Sequence, residues 1–129
     1  MQLIKIIAGL VFSALSVNAA YAEIPLGSKT DLEGNWKLLQ TRANGDAKKA
    51  MDRQDTWIFK NGQVTILHIP REGTFYDQAP VDYTVEEGKL KIAILGRPDK
   101  FETFSLDSKE GNKMTLIGKF NNFYDFVKN

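Results

Sequence analysis

His68 is the only histidine in the chain, and the turn that follows from Asn61-Gly62 predicts Asp55 directly across from it. A carboxylate that orients an imidazole serves hydrolases and metal sites alike, because it fixes the tautomer and the direction of the free ring nitrogen. The remaining parts of either chemistry are missing. The chain has no cysteine and no Gly-x-Ser-x-Gly elbow to supply a nucleophile, and Met51 and Met114 add only scattered thioethers to a single nitrogen ligand. His68 is therefore expected to be a rim histidine, with no catalytic residue, no metal, no cofactor and no enzymatic activity.

The elements that would carry these residues follow from turn chemistry. Asn-Gly is the favoured pair for a type I′ hairpin, so Lys60 should face Gln63, Phe59 Val64, Trp57 Ile66 and Asp55 His68 on one face. Ile58 opposite Thr65 and Thr56 opposite Leu67 form the other. A second hairpin at Glu87-Gly88 pairs Val85 with Leu90, Tyr83 with Ile92 and Val81 with Ile94, while Glu86–Lys89 and Thr84–Lys91 lie outside. Such a ribbon, apolar within and charge-matched without, belongs to an antiparallel sheet with one wet face.

Further runs over 34–41, 101–107, 113–120 and 123–128 complete eight strands. Helical periodicity is confined to 46–53, where Ala47, Ala50 and Met51 share one side of at most one short helix. Short turns near 61–62, 87–88 and 108–112 fall at one end of a meander. The long connections 42–54, 70–80 and 96–100 fall at the other, with the tight turn at 121–122. The expected fold is all-β: a single eight-stranded antiparallel up-and-down barrel with a tidy closed end and a loop-framed mouth. A two-layer sandwich explains the alternation equally well but not this asymmetry of loops.

The register sketches the interior in layers, from Trp36, Phe59, Val64, Val85 and Leu90 at the closed end to Val81 and Ile94 at the mouth. A barrel of this size either fills itself with side chains or leaves room for one small ligand. In the second case Trp57, Ile66, Tyr83 and Ile92 hold an apolar body, and Gln40 and His68 fix a polar head group. The segment 70–80 is bracketed by prolines and carries Arg71, Phe75 and Tyr76, with Arg97 expected at the same end; aromatics and arginine are what protein contacts favour. Those aromatics would equally serve as a plug folded back into the barrel. The run Asp52-Arg53-Gln54-Asp55 reads as surface chemistry.

Residues 1–22 read as a cleaved export signal, with Lys5 at the positive start, an apolar stretch over 6–17 too short to span a bilayer, and Ala20-Tyr21-Ala22 before the cut. One domain, 23–129, remains. The chain of 129 residues carries 17 Lys+Arg against 16 Asp+Glu, and losing the leader removes one lysine and no acid, so the charges balance. A neutral domain has no excess to neutralise phosphates, which argues against nucleic acid, and no cysteine at the cut offers a lipid anchor. The expectation is a periplasmic or secreted protein whose partner is a small hydrophobic molecule or another exported protein. Without disulfides, core burial alone must hold it together.

The segment Asp31-Leu32-Glu33-Gly34-Asn35-Trp36, a Gly-x-Trp opening the first strand of a meander, resembles the signature of the lipocalins and the wider calycin group. The resemblance is nearest in kind to small bacterial lipocalin-like exported domains. It implies that Trp36 lies across the closed end beside Gly34 and that a basic side chain near the last strand, here Lys128 in place of the usual Arg, packs over the indole. It also implies a ligand taken through the mouth. Gly34-Asn35-Trp36-Lys37-Leu38 is similar as well to the opening of the small bacterial metalloprotease inhibitors. That resemblance implies inhibition through an extended N-terminal arm, here residues 23–29, and keeps a protein-binding module, enzyme inhibitor or accessory subunit, beside the ligand-binding reading.

Overall fold

The computed structural model describes residues 26, 27 and 29–129; the expected export signal over 1–22 and its expected cut site lie outside the described residues. Nine strands run β1 Gly34–Ala43, β2 Ala50–Asp52, β3 Thr56–Lys60, β4 Gln63–Arg71, β5 Thr74–Glu86, β6 Lys89–Ile94, β7 Arg97–Glu110, β8 Lys113–Ile117 and β9 Asn122–Lys128. All neighbours are antiparallel, and β1 pairs with β9 to close eight of them into a barrel. The ninth, β2, is a three-residue strip on the far half of β1.

The two turns that set the expected registers have positive φ at both central residues, as type I′ demands: 54° and 78° at Asn61-Gly62, 54° and 76° at Glu87-Gly88. The pairs Phe59–Val64, Trp57–Ile66, Val85–Leu90 and Tyr83–Ile92 all form. Inward alternation then places Trp36, Leu38, Trp57, Phe59, Val64, Leu90, Ile92, Phe104, Leu106, Met114, Leu116 and Phe126 in one continuous core.

The closed end is sealed from the N-terminal side. A 3-10 turn over Lys29–Leu32 precedes β1, Leu26 and Leu32 are buried, and the Leu26 N–H donates to Gly88 O at 3.0 Å. Trp36 Nε1 donates to Leu32 O at 3.0 Å, tying the turn to the barrel floor. Residue 26 is thus docked in the core, and the arm is not an uncommitted strand over its whole length. Lys128 Nζ stands 5.5 Å from the Trp36 ring centre. Gly34, with φ of 124°, gives that side chain its path, since a Cβ there would come within 2.6 Å of Lys128 Cε.

The long loops expected at the mouth are largely absent. Strands β4 and β5 continue through 70–80 as a protruding hairpin turned by Glu72-Gly73, and β6 passes to β7 through Leu95-Gly96. Proline does not interrupt them, because Pro70 lies past the last β3–β4 pair, Thr56–Leu67, and Pro98 lies short of the first β7–β8 pair, Ser105–Ile117. Each therefore sits where one edge is open and no ladder donor is required. In the connection 42–54 the helical content reduces to a 3-10 turn over Ala47–Lys49, capped by Asp46, whose Oδ1 accepts the Lys48 N–H at 2.9 Å. Met51 then enters β2 and is exposed.

A bulge on β1 shifts the parity of the strand residues beyond it. On β1 the register slips between Leu38 and Gln40, where two residues face one step of β9. Gln40 consequently turns outward and donates through Nε2 to Asp125 Oδ2 at 2.8 Å. Asp125 also accepts from Arg42 at 2.7 and 2.9 Å and from Thr115 Oγ1 at 2.8 Å. Burial pushes the Asp125 carboxyl up, but the hydrogen bonds from Arg42, Gln40 and Thr115, with the Arg42 charge, outweigh it and hold the group below the usual carboxylate range. A folded value below the unfolded one adds stability above the ordinary Asp range, near 3.8, and this is lost as pH falls through the folded value. Urea midpoints measured down through that range should fall in the wild type and fall less steeply in Asp125→Asn, which starts lower at neutral pH.

Candidate ligand-binding cavity

The element that builds the mouth is an interruption. Strands β2 and β3 both lie on one edge of β1 and behave as a single strand broken at 53–55. Opposite the break sits the β1 bulge, and the backbone closes the gap with Leu38 N–H to Asp55 O at 2.8 Å and Arg53 N–H to Leu39 O at 2.9 Å. Two short-range charges are thereby turned toward the barrel. Asp55 is 1% exposed and takes a two-point fork from Arg53, Nε to Oδ1 at 2.9 Å and Nη2 to Oδ2 at 2.8 Å. Of the run read as surface chemistry, Asp52 and Gln54 are exposed as expected, whereas Arg53 and Asp55 form a polar wall of the interior.

Above that wall opens a cavity of about 200 Å³ bounded by Arg53, Asp55, Trp57, Ile66, Ile69, Gln78, the 92–95 segment, Glu102, Phe104 and Tyr124. Its aromatic side is a cluster of mutually packed rings. Phe104 meets Trp57 edge-to-face at 5.7 Å and Tyr124 at 5.5 Å, and Trp57 packs edge-to-face on Phe126 at 4.9 Å. The Trp57 indole N–H is buried and has no hydrogen-bond partner among the described residues, while the rings of Phe59, Phe104, Tyr124 and Phe126 pack around the indole. Burial pushes the Tyr124 phenol up; Glu102 raises it further, Asp55 adds, and Arg53 opposes, so three charges converge on one hydroxyl.

Of the residues expected to hold a ligand, Trp57, Ile66 and Ile92 line this cavity. Gln40, His68 and Tyr83 do not. Gln40 is turned outward by the β1 bulge and held on Asp125. His68 has φ of 64° at a β4 bulge, which turns its ring onto the outer surface, stacked on Phe75 at 3.8 Å, and passes its inward place to Ile69. Its backbone N–H donates to Asp77, and because β3 begins only at Thr56, the His68–Asp55 pair does not form. Tyr83 is buried toward the closed end, edge-to-face on Phe59 at 5.0 Å with its hydroxyl on Lys29 O at 3.3 Å. The Val81–Ile94 pair is also absent: Val81 pairs with Val64, and β6 slips register at Ala93/Ile94.

The expected partner-binding residues stand on the two protruding hairpins. Phe75 is 44% and Tyr76 37% exposed, Arg71 places its guanidinium 4.1 Å over the Tyr76 ring, and Arg97 is exposed at the start of β7. None is folded back into the barrel. Among the described residues no group of three or more His, Cys, Asp or Glu side chains is placed to hold a metal ion. Sequence reasoning missed Arg53, Ile69, Gln78, Glu102, Phe104 and Tyr124. The last two were within reach, because alternation through Phe104–Leu106 and Tyr124–Phe126 marks an inward face on each strand.

A closed, eight-stranded antiparallel meander with Gly-x-Trp at its floor and a cavity at its mouth defines a lipocalin-like barrel. Solved structures agree. A lipocalin-like protein from Bacteroides uniformis superposes with a TM-score of 0.59 at 16% identity, over 77% of this chain and 99% of its own. An uncharacterized protein from Bacteroides eggerthii gives 0.57 at 14% identity, over 75% and 98%. The fold is that of the small bacterial lipocalin-like domains. No family model matches the chain, and no curated protein does.

Proposed function

We propose that this is an exported binding protein that holds one small apolar or amphipathic molecule in the barrel mouth and carries out no catalysis. The observation that carries the reading is the cavity itself: about 200 Å³, walled by Trp57, Phe104, Tyr124, Ile66 and Ile92, at the end away from the Leu26–Leu32 seal. An apolar cavity of about 150 Å³ suffices for benzene, so the bound portion is a single ring or a short chain. The N-terminal pattern over 1–22 supports export, and the fold supports the location of the site better than it supports any particular ligand.

The two tryptophans provide the test. Titrated with benzyl alcohol, the Trp57 indole N–H resonance should shift while that of Trp36, bonded to Leu32 O at the floor, stays fixed. Ile66→Trp should weaken binding at least about tenfold by filling the mouth, without a change in the cooperativity of unfolding. Equal movement of both indoles, or none, would refute the cavity as the site.

A second reading has its own observation, the Arg71–Tyr76 and His68–Phe75 pairs on the β4–β5 hairpin, which present aromatic surface away from the cavity. On that reading the hairpin contacts another exported protein, and Phe75→Ser with Tyr76→Ser abolishes that contact while leaving benzyl alcohol binding unchanged.

A further inference from the structure

We propose that the ligand carries a positive charge: the mouth selects an amine or alkylammonium on a small apolar body over a carboxylate of the same shape. The inference rests on the cavity as the binding site and adds the chemistry of the head group. Three charged side chains line the cavity, Arg53, Asp55 and Glu102, and their sum is negative. Arg53 is already committed, with Nε and Nη2 both on Asp55. A ligand carboxylate that recruited Arg53 through that fork would leave Asp55, at 1% exposure, as a buried charge without its partner.

Glu102, by contrast, is exposed and forms no ion pair among the described residues. Lys119, on the adjoining groove that Glu102 also borders, sets its ammonium 5.0 Å over the Phe120 ring. Each oxygen of Asp55 keeps a lone pair beyond its bond to Arg53. The remaining polar lining, the Gln78 amide and the Tyr124 hydroxyl, is neutral and accepts or donates as needed. The wall beneath is aromatic, and the faces of Trp57, Tyr124 and Phe104 attract a cation as well as an apolar ring. Sign of charge, an unpaired carboxylate and π-faces thus all favour the same head group at one opening.

Benzylamine, benzyl alcohol and benzoate share one ring and differ in head-group charge, so they separate the inference from the reading beneath it. Titrated at neutral pH and followed by the Trp57 indole resonance, benzylamine should bind at least about tenfold more tightly than benzoate, with benzyl alcohol between. Glu102→Gln, a change at an exposed side chain without an ion pair, should shrink the gap several-fold. Glu102→Lys should favour benzoate over benzylamine, and added salt should narrow the wild-type gap. Benzyl alcohol binding with no preference for the amine, or a preference for benzoate, overturns the charge inference and leaves the cavity reading standing. Failure of all three probes to move Trp57 overturns both.

Discussion

Replacing Trp36 with alanine is expected to lower the unfolding free energy by about 4 kcal/mol, a large share of what a small domain has. The indole is fully buried at the barrel floor, so its removal leaves a cavity that the neighbouring strands cannot close without breaking the ladder. Three other contacts go with it. The bond from Nε1 to Leu32 O is lost, and the ammonium groups of Lys128 and Lys109, 5.5 and 6.0 Å from the ring centre, lose the face over which they sit. The seal formed by Leu26 and Leu32 should then loosen, and hydrogen exchange at the Leu26 amide, bonded to Gly88 O, should accelerate beyond what global destabilisation explains. Trp36→Phe retains much of the volume but not the donor, and a loss of about 1–2 kcal/mol is expected. Urea denaturation reads both values. An alanine variant that loses less than about 2 kcal/mol would show that the floor collapses freely and that Trp36 is not its anchor.

The parts of this architecture that were legible in the sequence are those written in turns. Asn61-Gly62 and Glu87-Gly88 each admit essentially one hairpin geometry, and from each the pairing of at least the next three residues on either side follows. The further strands extend from the same alternation, whereas closure rests on the spacing of the connections and the role of Gly34 and Trp36 on the resemblance to the lipocalin opening. The errors begin where a single extra residue enters a strand. At Leu38–Gln40 and at His68 the slip turns Gln40 and His68 outward, and neither site has a composition that distinguishes it from regular strand. The proline-bracketed segment misled for a related reason: Pro70 excludes a ladder donor on one edge, and the sequence does not show that this edge has already lost its neighbour. Asp52-Arg53-Gln54-Asp55 looked like solvated surface because burial of an ion pair is decided by what faces it, here a β1 bulge some fifteen residues earlier in the chain.

That ion pair gives the second large effect. Arg53→Ala should cost about 3 kcal/mol, because it leaves the Asp55 carboxylate buried with neither fork bond. The value belongs at the lower end of the range for broken buried pairs, since the Arg53 side chain is 24% exposed and the mouth admits water to the vacated side. Adding Asp55→Asn to Arg53→Ala removes the uncompensated charge, so the double variant should recover part of the loss; strict additivity of the two single changes would mean that the pair is not coupled. Binding should move the other way. Without the guanidinium the cavity lining carries two carboxylates and no cation, so the affinity for benzylamine should rise while that for benzoate falls. A variant that is less stable yet binds its cation more tightly separates the two roles of Arg53, which holds the strand interruption together and at the same time limits how strongly the mouth attracts positive charge. If stability and amine affinity fall together, Arg53 instead contributes to the binding surface directly, and the negative potential of the mouth is not what selects the ligand.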